Sequence, residues 1–361
     1  MIRFEHVTKR YADGTTAVDD LSFEVAEGEL VTLVGPSGCG KTTTMKMVNR
    51  LIEPTEGRIF LDGEDIAAVD PVQLRRRIGY VIQQVGLFPH RTVLDNTATV
   101  PHLLGVPRAR ARARAAELLD LVGLDPGTYG DRYPEQLSGG QRQRVGVARA
   151  LAADPPVLLM DEPFGAVDPV VRERLQSEFL RLQSQVRKTV LLVTHDLEEA
   201  VRLGDRIAVY GHGTIEQFAA PATVLGAPAT PYVADFVGAD RGLKRLSVTP
   251  VEEGDLEHPP TVRTGAGFDA PRVVVLDADG RPEGWVSAEH PEDVRPTPAP
   301  VPLGTSLREA LAALLQDDTG WLPVIDPTDG GRYAGVLTPD GVHRALRRAR
   351  PEPSPANPSA D

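Results

Sequence analysis

The sequence predicts an α/β protein built around a parallel sheet. Three short apolar runs carry this prediction: GELVTLVG, PPVLLMDEP and TVLLVTHD. Runs of this length without polar alternation are typical of strands that are buried on both faces of a sheet. Between them lie segments with the apolar spacing of helices, and strands that alternate with helices indicate an α/β fold.

The first apolar run leads into a glycine-rich segment, GPSGCGKTT (Gly35 to Thr43), which precedes the helix-like TTMKMVNRL. The segment fits G-x-x-x-x-G-K-[ST] between a strand and a helix, the context in which this pattern binds polyphosphate. Its glycines let backbone N–H groups point inward, and Lys41 adds a full positive charge. Thr42 offers a hydroxyl ligand to a magnesium ion on the β- and γ-phosphates. We expect Cys39 to fill space in this loop rather than to react.

The other two apolar runs end in polar residues. VLLMDEP places Asp161 and Glu162 where its strand stops, and LLVTHD ends with His195. Asp161 can hold magnesium through water, and Glu162 can polarise an attacking water as a general base. His195 can reach the γ-phosphate or the Glu162 carboxylate. Alone, such residues are more often helix caps or core residues; together with Gly35 to Thr43 they predict a site of nucleotide hydrolysis.

These motifs together resemble the ATP-binding subunit of ABC transporters, over roughly Ile2 to Gly238. Walker A resembles Gly35 to Thr42, and Walker B resembles Val157 to Asp161. The resemblance implies four catalytic residues, namely Lys41, Gln83, Glu162 and His195. For ATP it implies Tyr11, Gly35, Ser37, Gly38, Cys39, Gly40, Lys41, Thr42 and Thr43, and for Mg²⁺ it implies Thr42, Gln83 and Asp161. Tyr11 would stack on adenine, although it could also be a surface tyrosine in a turn.

The segment LSGGQ, Leu137 to Gln141, matches the signature of the same family. Its small residues let another surface approach, and N–H groups at a helix start suit an anion. The resemblance implies that this anion is the γ-phosphate of ATP bound to a second copy of the chain, in a head-to-tail dimer. The residues that would act across this dimer are Ser138, Gly139, Gly140, Gln141 and Asp168. Hydrolysis would then bias an open–closed equilibrium.

The texture changes beyond about Gly238, where Pro-rich and acidic linkers flank a weak repeat. Arg272 to Ser287 and Trp321 to Thr338 each predict a strand, an Asp/Gly turn and a strand, which indicates duplication. Thr305 to Asp318 predicts an amphipathic helix with Leu307, Leu311, Leu314 and Leu315 on its apolar face. This region resembles a tandem CBS module.

The predicted fold class is therefore α/β, a P-loop NTPase of ABC type with a RecA-like core and antiparallel β and helical subdomains, followed by a smaller α+β CBS-like domain. We predict an ABC ATP-binding domain over residues 1–239 and a degenerate tandem CBS-like regulatory domain over residues 240–350. A disordered Pro-rich tail is expected over residues 351–361.

The stretches IGYVIQQVGLFPHRTVLDN and DFVGADRGLKRLSV look most like the ATPases of osmoprotectant importers, which take up glycine betaine, carnitine, choline or proline betaine. The resemblance implies integral-membrane permease subunits and, indirectly, a substrate-binding protein as partners, at the cytoplasmic face of the cell membrane. An ATPase of another ABC importer, for amino acids, polyamines or sugars, and a soluble non-transport ABC ATPase remain alternatives.

Ligands of the CBS-like region stay open at this point. Family members can bind cyclic di-AMP or sense ionic strength there, and a purely structural dimerisation module is an equal alternative. The usual adenosine pattern puts an acid three residues after the Ser/Thr of each second strand, but Gly341 follows Thr338 and His290 follows Ser287 in this way.

Composition limits the remaining classes. With 39 Lys and Arg against 51 Asp and Glu, the net charge of −12 argues against a nucleic-acid partner, whose binding surface would be basic. The single cysteine fits a reducing compartment. The N-terminal segment lacks the apolar stretch of a signal peptide, and no run approaches the roughly 18 apolar residues of a membrane span, so a membrane role needs a partner chain. Two basic stretches, Arg108 to Arg114 and His343 to Arg350, are interpreted as solvated helices, with phosphate and anionic lipid as their respective alternatives.

Overall fold

The computed structural model describes residues 1–82, 86–165, 167–263, 267–316 and 319–348. The chain forms two compact units, one of residues 1–221 with 229–236 and one of residues 222–228 with those from 237 on. None of the helices in these described ranges has the length and apolar character needed to cross a bilayer.

The first unit alternates strands and helices, as predicted. Its strands are β1 (Ile2–Arg10), β2 (Thr16–Val25), β3 (Leu30–Val34), β4 (Glu56–Leu61), β5 (Glu64–Asp65), β6 (Ile78–Val81), β7 (Val157–Asp161), β8 (Thr189–Thr194), β9 (Arg206–Tyr210) and β10 (Ile215–Ala219). Its helices are α1 (Lys41–Val48), α2 (Pro71–Arg76), α3 (Val93–Thr97), α4 (Thr99–Leu103), α5 (Arg108–Leu121), α6 (Pro126–Tyr129), α7 (Gly139–Leu151), α8 (Pro169–Val186) and α9 (Leu197–Leu203). Helices α10 (Pro221–Gly226) and α11 (Pro231–Val237) follow β10 along the chain.

Two sheets form the centre of this unit. The larger has six strands in the order β10-β9-β3-β8-β7-β6, in which every neighbouring pair is parallel except β10 and β9. The smaller has four antiparallel strands in the order β2-β1-β4-β5. The three apolar runs of the sequence become β3, β7 and β8, which are adjacent in the larger sheet.

The central strands are apolar throughout because both faces of the larger sheet are covered. Along β8, Val190 and Leu192 pack into one core with helices α5, α7 and α8, whereas Leu191 and Val193 pack into a second core with the four-stranded sheet. Successive side chains of a strand point to opposite faces, so a strand between two cores carries no polar alternation. Helices α3 to α7 lie between β6 and β7 in the chain and form the helical part of the unit.

The predicted helix at Arg108 to Arg114 is confirmed as the start of α5. The helix buries Ala111, Ala115, Leu118 and Leu119, and most of its arginines are exposed. Arg112 pairs with Asp95 of α3. The arginines therefore belong to a solvated helix face, as the sequence indicated.

The second unit contains the predicted repeat. Its strands are β11 (Thr261–Arg263), β12 (Arg272–Leu276), β13 (Pro282–Ser287), β14 (His290–Arg295), β15 (Val301–Pro302), β16 (Leu322–Asp326) and β17 (Arg332–Leu337), and its helices are α12 (Arg241–Arg245), α13 (Leu307–Leu314) and α14 (Pro339–Arg348). In both repeats a parallel pair is followed by an antiparallel pair: β11, β12 and β13 in the first, β15, β16 and β17 in the second. Only the second repeat has helices, α13 before β16 and α14 after β17.

The predicted helix at Thr305 to Asp318 is shorter than expected. Ser306 caps α13 by accepting a hydrogen bond from the N–H of Glu309, and the helix ends at Leu314. Leu307 and Leu314 are buried, but Leu315 is 77% exposed, so its assignment to the apolar face was wrong. Leu315 is the C-cap residue, where the helical periodicity that would turn it inward has stopped. Residues 317–318 and the predicted tail, residues 351–361, lie outside the described residues.

The basic stretch at the end of α14 is used within the unit. Arg348 donates from Nη2 to Asp255 Oδ2 at 2.8 Å, and the Asp255 side chain is 1% exposed. Arg344 lies 3.8 Å from Glu257. These two arginines are therefore paired with carboxylates of the same chain, which favours neither a freely solvated face nor a lipid contact for them.

Candidate functional site

The predicted polar residues meet at one edge of the six-stranded sheet. Strands β3, β8 and β7 are parallel neighbours, with Val34 paired to Thr194 and Asp161 paired to Val193. The residues that follow these strand ends therefore emerge side by side: Gly35 after β3, His195 after β8 and Glu162 after β7. Ligands of open α/β sheets bind at the carboxyl ends of the strands, which is where this group lies.

The loop from Gly35 to Gly40 has a backbone that only glycine permits at two positions. Gly35 has φ +153° and Gly40 has φ +106°, and a Cβ at Gly40 would lie 2.2 Å from the carbonyl oxygen of Ala17. A Cβ at Gly35 would lie 2.6 Å from the carbonyl oxygen of Tyr210. The loop thus packs tightly on its protein side, while Ser37 and Gly38 at its tip are exposed.

Lys41 is the first residue of α1 and is 5% exposed. Its ammonium donates to the carbonyl oxygens of Gly35 at 2.7 Å and Pro36 at 2.8 Å. The charge is therefore held inside the curve of the loop, close to where the helix N-terminus adds its partial positive charge. Together they make a cationic cradle that fits a polyphosphate chain.

Cys39 behaves as the space-filling residue that the sequence predicted. It is buried within the core on the side of the four-stranded sheet, and its Sγ lies 3.4 Å from the Lys41 ammonium. Thr43 follows Thr42 on the first turn of α1 and is half-buried.

Thr42 and Asp161 bring two oxygen ligands together. The Thr42 hydroxyl donates to Asp161 Oδ1 at 3.0 Å across the gap between α1 and the end of β7. Burial raises the pKa of Asp161 above its ordinary value, and the hydrogen bond from Thr42 opposes this shift. A hydroxyl and a carboxylate are hard oxygen donors of the kind Mg²⁺ takes, so this pair fits the predicted metal. Gln83, the third predicted ligand, lies outside the described residues.

The raised pKa of Asp161 leads to a prediction about stability. Because this pKa is higher in the folded than in the unfolded chain, ionisation opposes folding; the penalty develops as the pH rises through the two pKa values and is full above them. Asp161→Asn cannot ionise, so without nucleotide and magnesium it should unfold at a higher temperature than the wild type at pH 7. The difference should shrink as the pH falls to about 4, near the pKa of an unfolded aspartate. Thermal unfolding followed by circular dichroism tests this; a variant less stable at pH 7 would contradict it.

Glu162 and His195 form a second pair at the same edge. Nδ1 of His195 lies 3.3 Å from Oε1 of Glu162. The Glu162 backbone has φ +45°, in the left-handed region, and its N–H donates to the carbonyl oxygen of Val193 at 2.9 Å. A non-glycine residue in this region is strained, and such strain persists only where the surrounding structure holds it. This conformation gives the carboxylate its position next to the imidazole.

Tyr11 lies where β1 turns into β2. It is 40% exposed, its backbone N–H donates to the carbonyl oxygen of Thr15, and the Lys9 ammonium lies 5.4 Å from the ring centroid. Strand β2 reaches the glycine loop through Ala17, the residue that Gly40 contacts. An exposed ring near this strand can stack on a nucleobase.

The signature segment begins α7. Ser138 is the N-cap: its hydroxyl accepts from the N–H of Gln141 at 3.3 Å, and Gln141 Oε1 accepts from the N–H of Ser138 at 2.8 Å. This capping box leaves the N–H groups of Gly139 and Gly140 out of its two bonds. Asp168 is the N-cap of α8 and accepts from the N–H of Val170 at 3.1 Å.

The signature and the glycine loop are not joined within one chain. In the part of the chain that the structure describes, no hydrogen bond links Ser138, Gly139, Gly140, Gln141 or Asp168 to the loop from Gly35 to Thr43. The first set does converge on α8, because a Cβ at Gly140 would lie 3.3 Å from Val171. The structure therefore brings together the loop and the strand-end residues, and separately the signature and Asp168.

Two positioning residues escaped the sequence analysis. Asn96, fully buried on α3, accepts from the N–H of Phe88 at 2.7 Å and donates to the carbonyl oxygens of Phe88, Arg91 and Thr92 at 3.0–3.1 Å. Arg149 of α7 donates to the carbonyl oxygen of Gly86 at 2.8 Å. Both tie down the segment just after Gln83. A polar residue inside an otherwise apolar helix turn was the signal that could have identified Asn96.

Replacing Asn96 is expected to destabilise the first unit. Asn96→Ala leaves several buried backbone groups unpaired, each at about 1–3 kcal/mol, so the free energy of unfolding should fall by at least about 2 kcal/mol. Asp95→Ala on the same helix removes only the partly exposed pair with Arg112 and should cost under about 1 kcal/mol. Urea unfolding of the two variants measures the difference; equal losses would show that Asn96 does not hold the segment.

Two family profiles match the chain. The family described as "ABC transporter" matches residues 18–165, and the family described as "CBS domain" matches residues 292–348. The first range includes the glycine loop, the signature and the acids at the end of β7. The second covers most of β14 and all of β15 to β17, with α13 and α14. The predicted fold class, a P-loop NTPase of ABC type followed by a smaller CBS-like domain, is confirmed.

Named relatives extend the match to nearly the whole chain. The osmoprotectant import ATP-binding protein OsmV of Salmonella typhimurium is 44% identical over 97% of this chain and 97% of its own length. The glycine betaine/carnitine/choline transport ATP-binding protein OpuCA of Bacillus subtilis is 43% identical over 94% of each chain. A solved dimeric post-hydrolysis state of the ATP-binding cassette MJ0796 bound to ADP and Pi aligns with a TM-score of 0.55 at 36% identity, over 61% of this chain and 99% of that one.

Proposed function

Since the chain belongs to the ATP-binding subunits of ABC transporters, we propose that it hydrolyses ATP to power a membrane importer of quaternary-ammonium osmoprotectants. The cargo class is that of glycine betaine, carnitine and choline. The observation that carries the ATPase assignment is the meeting of two pairs, Thr42 with Asp161 and Glu162 with His195, beside a glycine loop that holds Lys41. The cargo class rests on relatives that match along both units.

Each residue at the sheet edge has a role in this proposal. Gly35 to Thr43 hold the phosphates of ATP, and Lys41 stabilises the charge that develops on them during transfer. Mg²⁺, held by Thr42 and Asp161 with Gln83 as a further ligand, neutralises phosphate charge when bound. Glu162 accepts the proton of the attacking water, and the imidazole of His195 keeps that carboxylate oriented.

A second copy of the chain completes the site. Ser138, Gly139, Gly140 and Gln141 present the open first turn of α7 to the γ-phosphate held by the other copy, and Asp168 contributes from the start of α8. The permease subunits, which form the membrane path, then respond to dimer closing and opening. Accordingly, we place the chain at the cytoplasmic face of the membrane, with a substrate-binding protein acting through the permease.

The second unit is proposed to be regulatory, with the functional boundary at residues 239 and 240. The proposal does not extend to cyclic di-AMP, because the adenosine-binding acid does not fit here. Gly341 stands at its position, and a Cβ there would lie 2.5 Å from the carbonyl oxygen of Asp255. The Thr338 hydroxyl is also engaged: it donates to Glu257 at 2.7 Å and accepts from the N–H of Gly341.

Uptake by a reconstituted transporter tests this function. Membrane vesicles that contain the chain with the permease and substrate-binding proteins of its own organism should accumulate labelled glycine betaine when ATP is present inside. Unlabelled choline and carnitine should compete, whereas maltose, spermidine and arginine should not. Lys41→Ala should abolish uptake, and Lys46→Ala, which changes an exposed lysine of the same helix, should not. Competition by a sugar, polyamine or amino acid alone would overturn the cargo class, and ATP hydrolysis without any uptake would favour a non-transport ATPase.

A further inference from the structure

A cationic side chain in the second unit lies against both tryptophans of the protein. The guanidinium carbon of Arg272 is 3.9 Å from the ring centroid of Trp285 and 4.0 Å from that of Trp321. The sequence contains no other tryptophan. Arg272 begins β12, Trp285 lies on the adjacent strand β13, and Trp321 directly precedes β16. We call Arg272, Trp285 and Trp321 the tryptophan cage.

The cage has the chemistry of a site for a large, weakly hydrated cation. A cation within about 6 Å of an aromatic face is attracted by the ring quadrupole, and sets of such faces recognise quaternary ammonium groups. A trimethylammonium group has no N–H to donate, so aromatic faces are the partners that remain for it. The guanidinium group resembles it in spreading its charge and in holding water weakly. All three residues of the cage are half-buried, so part of each remains open to solvent.

We propose that the tryptophan cage is a binding site for a quaternary ammonium solute, with Arg272 as an internal competitor. The inference rests on the proposed function for the identity of the solute, which would be the transported osmoprotectant itself. The second unit would then detect the concentration of the solute that ATP hydrolysis by the first unit helps to import.

Two groups next to the cage favour a zwitterionic betaine over a simple cation. Nε1 of Trp285 is buried and has no hydrogen-bond partner among the residues that the structure describes. A buried donor without an acceptor is costly, and a carboxylate is a strong acceptor. The guanidinium carbon of Arg295 lies 5.3 Å from the Trp285 ring centroid and adds a positive charge on the same side of the sheet pair β13 and β14. A betaine offers its ammonium to the rings and its carboxylate to these groups.

Competition with Arg272 makes the site weak, as suits an accumulated solute. A tethered group competes at an effective concentration on the order of millimolar or more, so a free solute must reach that range to displace it. Displacement would also break the bond from Arg272 Nη1 to the carbonyl oxygen of Thr319, which is 2.9 Å long. Because Arg272 belongs to the sheet of β11 to β14 and Thr319 lies just before β16, binding would loosen a link between the two repeats.

Tryptophan fluorescence of the full chain tests the proposal directly, because both fluorophores lie in the cage. The chain is titrated with tetramethylammonium, choline and glycine betaine, against sodium chloride at matched ionic strength. The control ligand is 3,3-dimethylbutan-1-ol, which has the shape of choline without its charge. We expect a saturable change with the three quaternary ammonium compounds and none with the neutral alcohol or the salt.

Variants of the cage separate a ligand site from an internal link. Arg272→Ala removes the competitor and should lower the half-saturating concentration about tenfold, the effect of losing one desolvated cation–π partner. Arg272→Lys keeps a cation and should change it little. Trp321→Leu should abolish saturation while Trp285 still reports. Circular dichroism checks that each variant is folded, and Arg272→Gln replaces Arg272→Ala if the latter is not.

The outcomes of the two experiments are independent. If neither the wild type nor Arg272→Ala responds saturably, the cage is only an internal link and the inference fails, even where vesicles import glycine betaine. A response to the neutral alcohol equal to that to choline would also overturn it, since the rings would then bind shape rather than charge. If tetramethylammonium binds while uptake selects another cargo, the cage stands and the proposed cargo fails.

Discussion

Replacement of Glu162 by glutamine is expected to lower the rate of ATP hydrolysis by about 10²- to 10⁴-fold, the usual contribution of a general base. Glutamine keeps the size of the side chain and can still hydrogen-bond to His195, whose Nδ1 lies 3.3 Å from the carboxylate. It cannot accept a proton from water. The phosphate cradle around Lys41 is unchanged, so ATP binding should persist and the ATP-bound dimer should accumulate.

Phosphate release and sedimentation measure these two effects in one variant. Mg-ATP should convert the Glu162→Gln monomer to a dimer, and Ser138→Arg in the same background should prevent this by placing a bulky side chain at the first turn of α7. A dimer that survives Ser138→Arg would show that the signature does not face the nucleotide. Hydrolysis that falls less than about tenfold would remove Glu162 from the role of general base.

Replacement of Gly40 by alanine should nearly abolish ATP binding. The new Cβ would lie 2.2 Å from the carbonyl oxygen of Ala17, which is backbone and cannot move alone, and φ of +106° is itself unfavourable for alanine. A left-handed conformation alone costs about 1–3 kcal/mol, and the clash adds to it, so the loop must shift away from its phosphate-binding shape. We expect ATP affinity to fall by at least about 100-fold, equivalent to about 2.7 kcal/mol.

The matched control is Gly14→Ala, outside the loop. Gly14 has φ +87°, and a Cβ there would meet nothing within 4 Å, so this variant has the conformational penalty without the clash. Calorimetric titration with ATP should give nearly wild-type affinity for Gly14→Ala. Equal affinities for the two alanine variants would mean that the close approach of Gly40 to Ala17 does not shape the nucleotide site.

Much of the site could be predicted because it depends on strand order and on contiguous motifs. An apolar strand followed by a glycine loop, and two others followed by Glu162 and His195, place their ends together once the strands are parallel neighbours. The pairing of Thr42 with Asp161 follows from the same topology. The action of Ser138 and Asp168 across a dimer came from the resemblance, and it stays a prediction that the sedimentation experiment tests.

Contacts that depend on three-dimensional packing could not be read from the sequence. Asn96 looks like an ordinary helix residue until its side chain is seen to hold the backbone of residues 88 to 92. Leu315 fits the apolar period of α13, but the helix has ended before it. Tyr210 touches the site only because β9 lies beside β3, and its hydroxyl donates to Thr44 at 3.0 Å. Each of these depends on where an element ends or on what packs against it.

The left-handed backbone of Glu162 bears on how this protein evolves. Glycine adopts that conformation without strain, so mutation and selection for thermal endurance alone would favour losing the side chain at this position. A population selected only to remain folded should therefore drift towards inactive chains here, whereas one selected for solute uptake retains a locally unfavourable residue. Sequence variation at position 162 would thus separate lineages under selection for hydrolysis from those that keep only the scaffold.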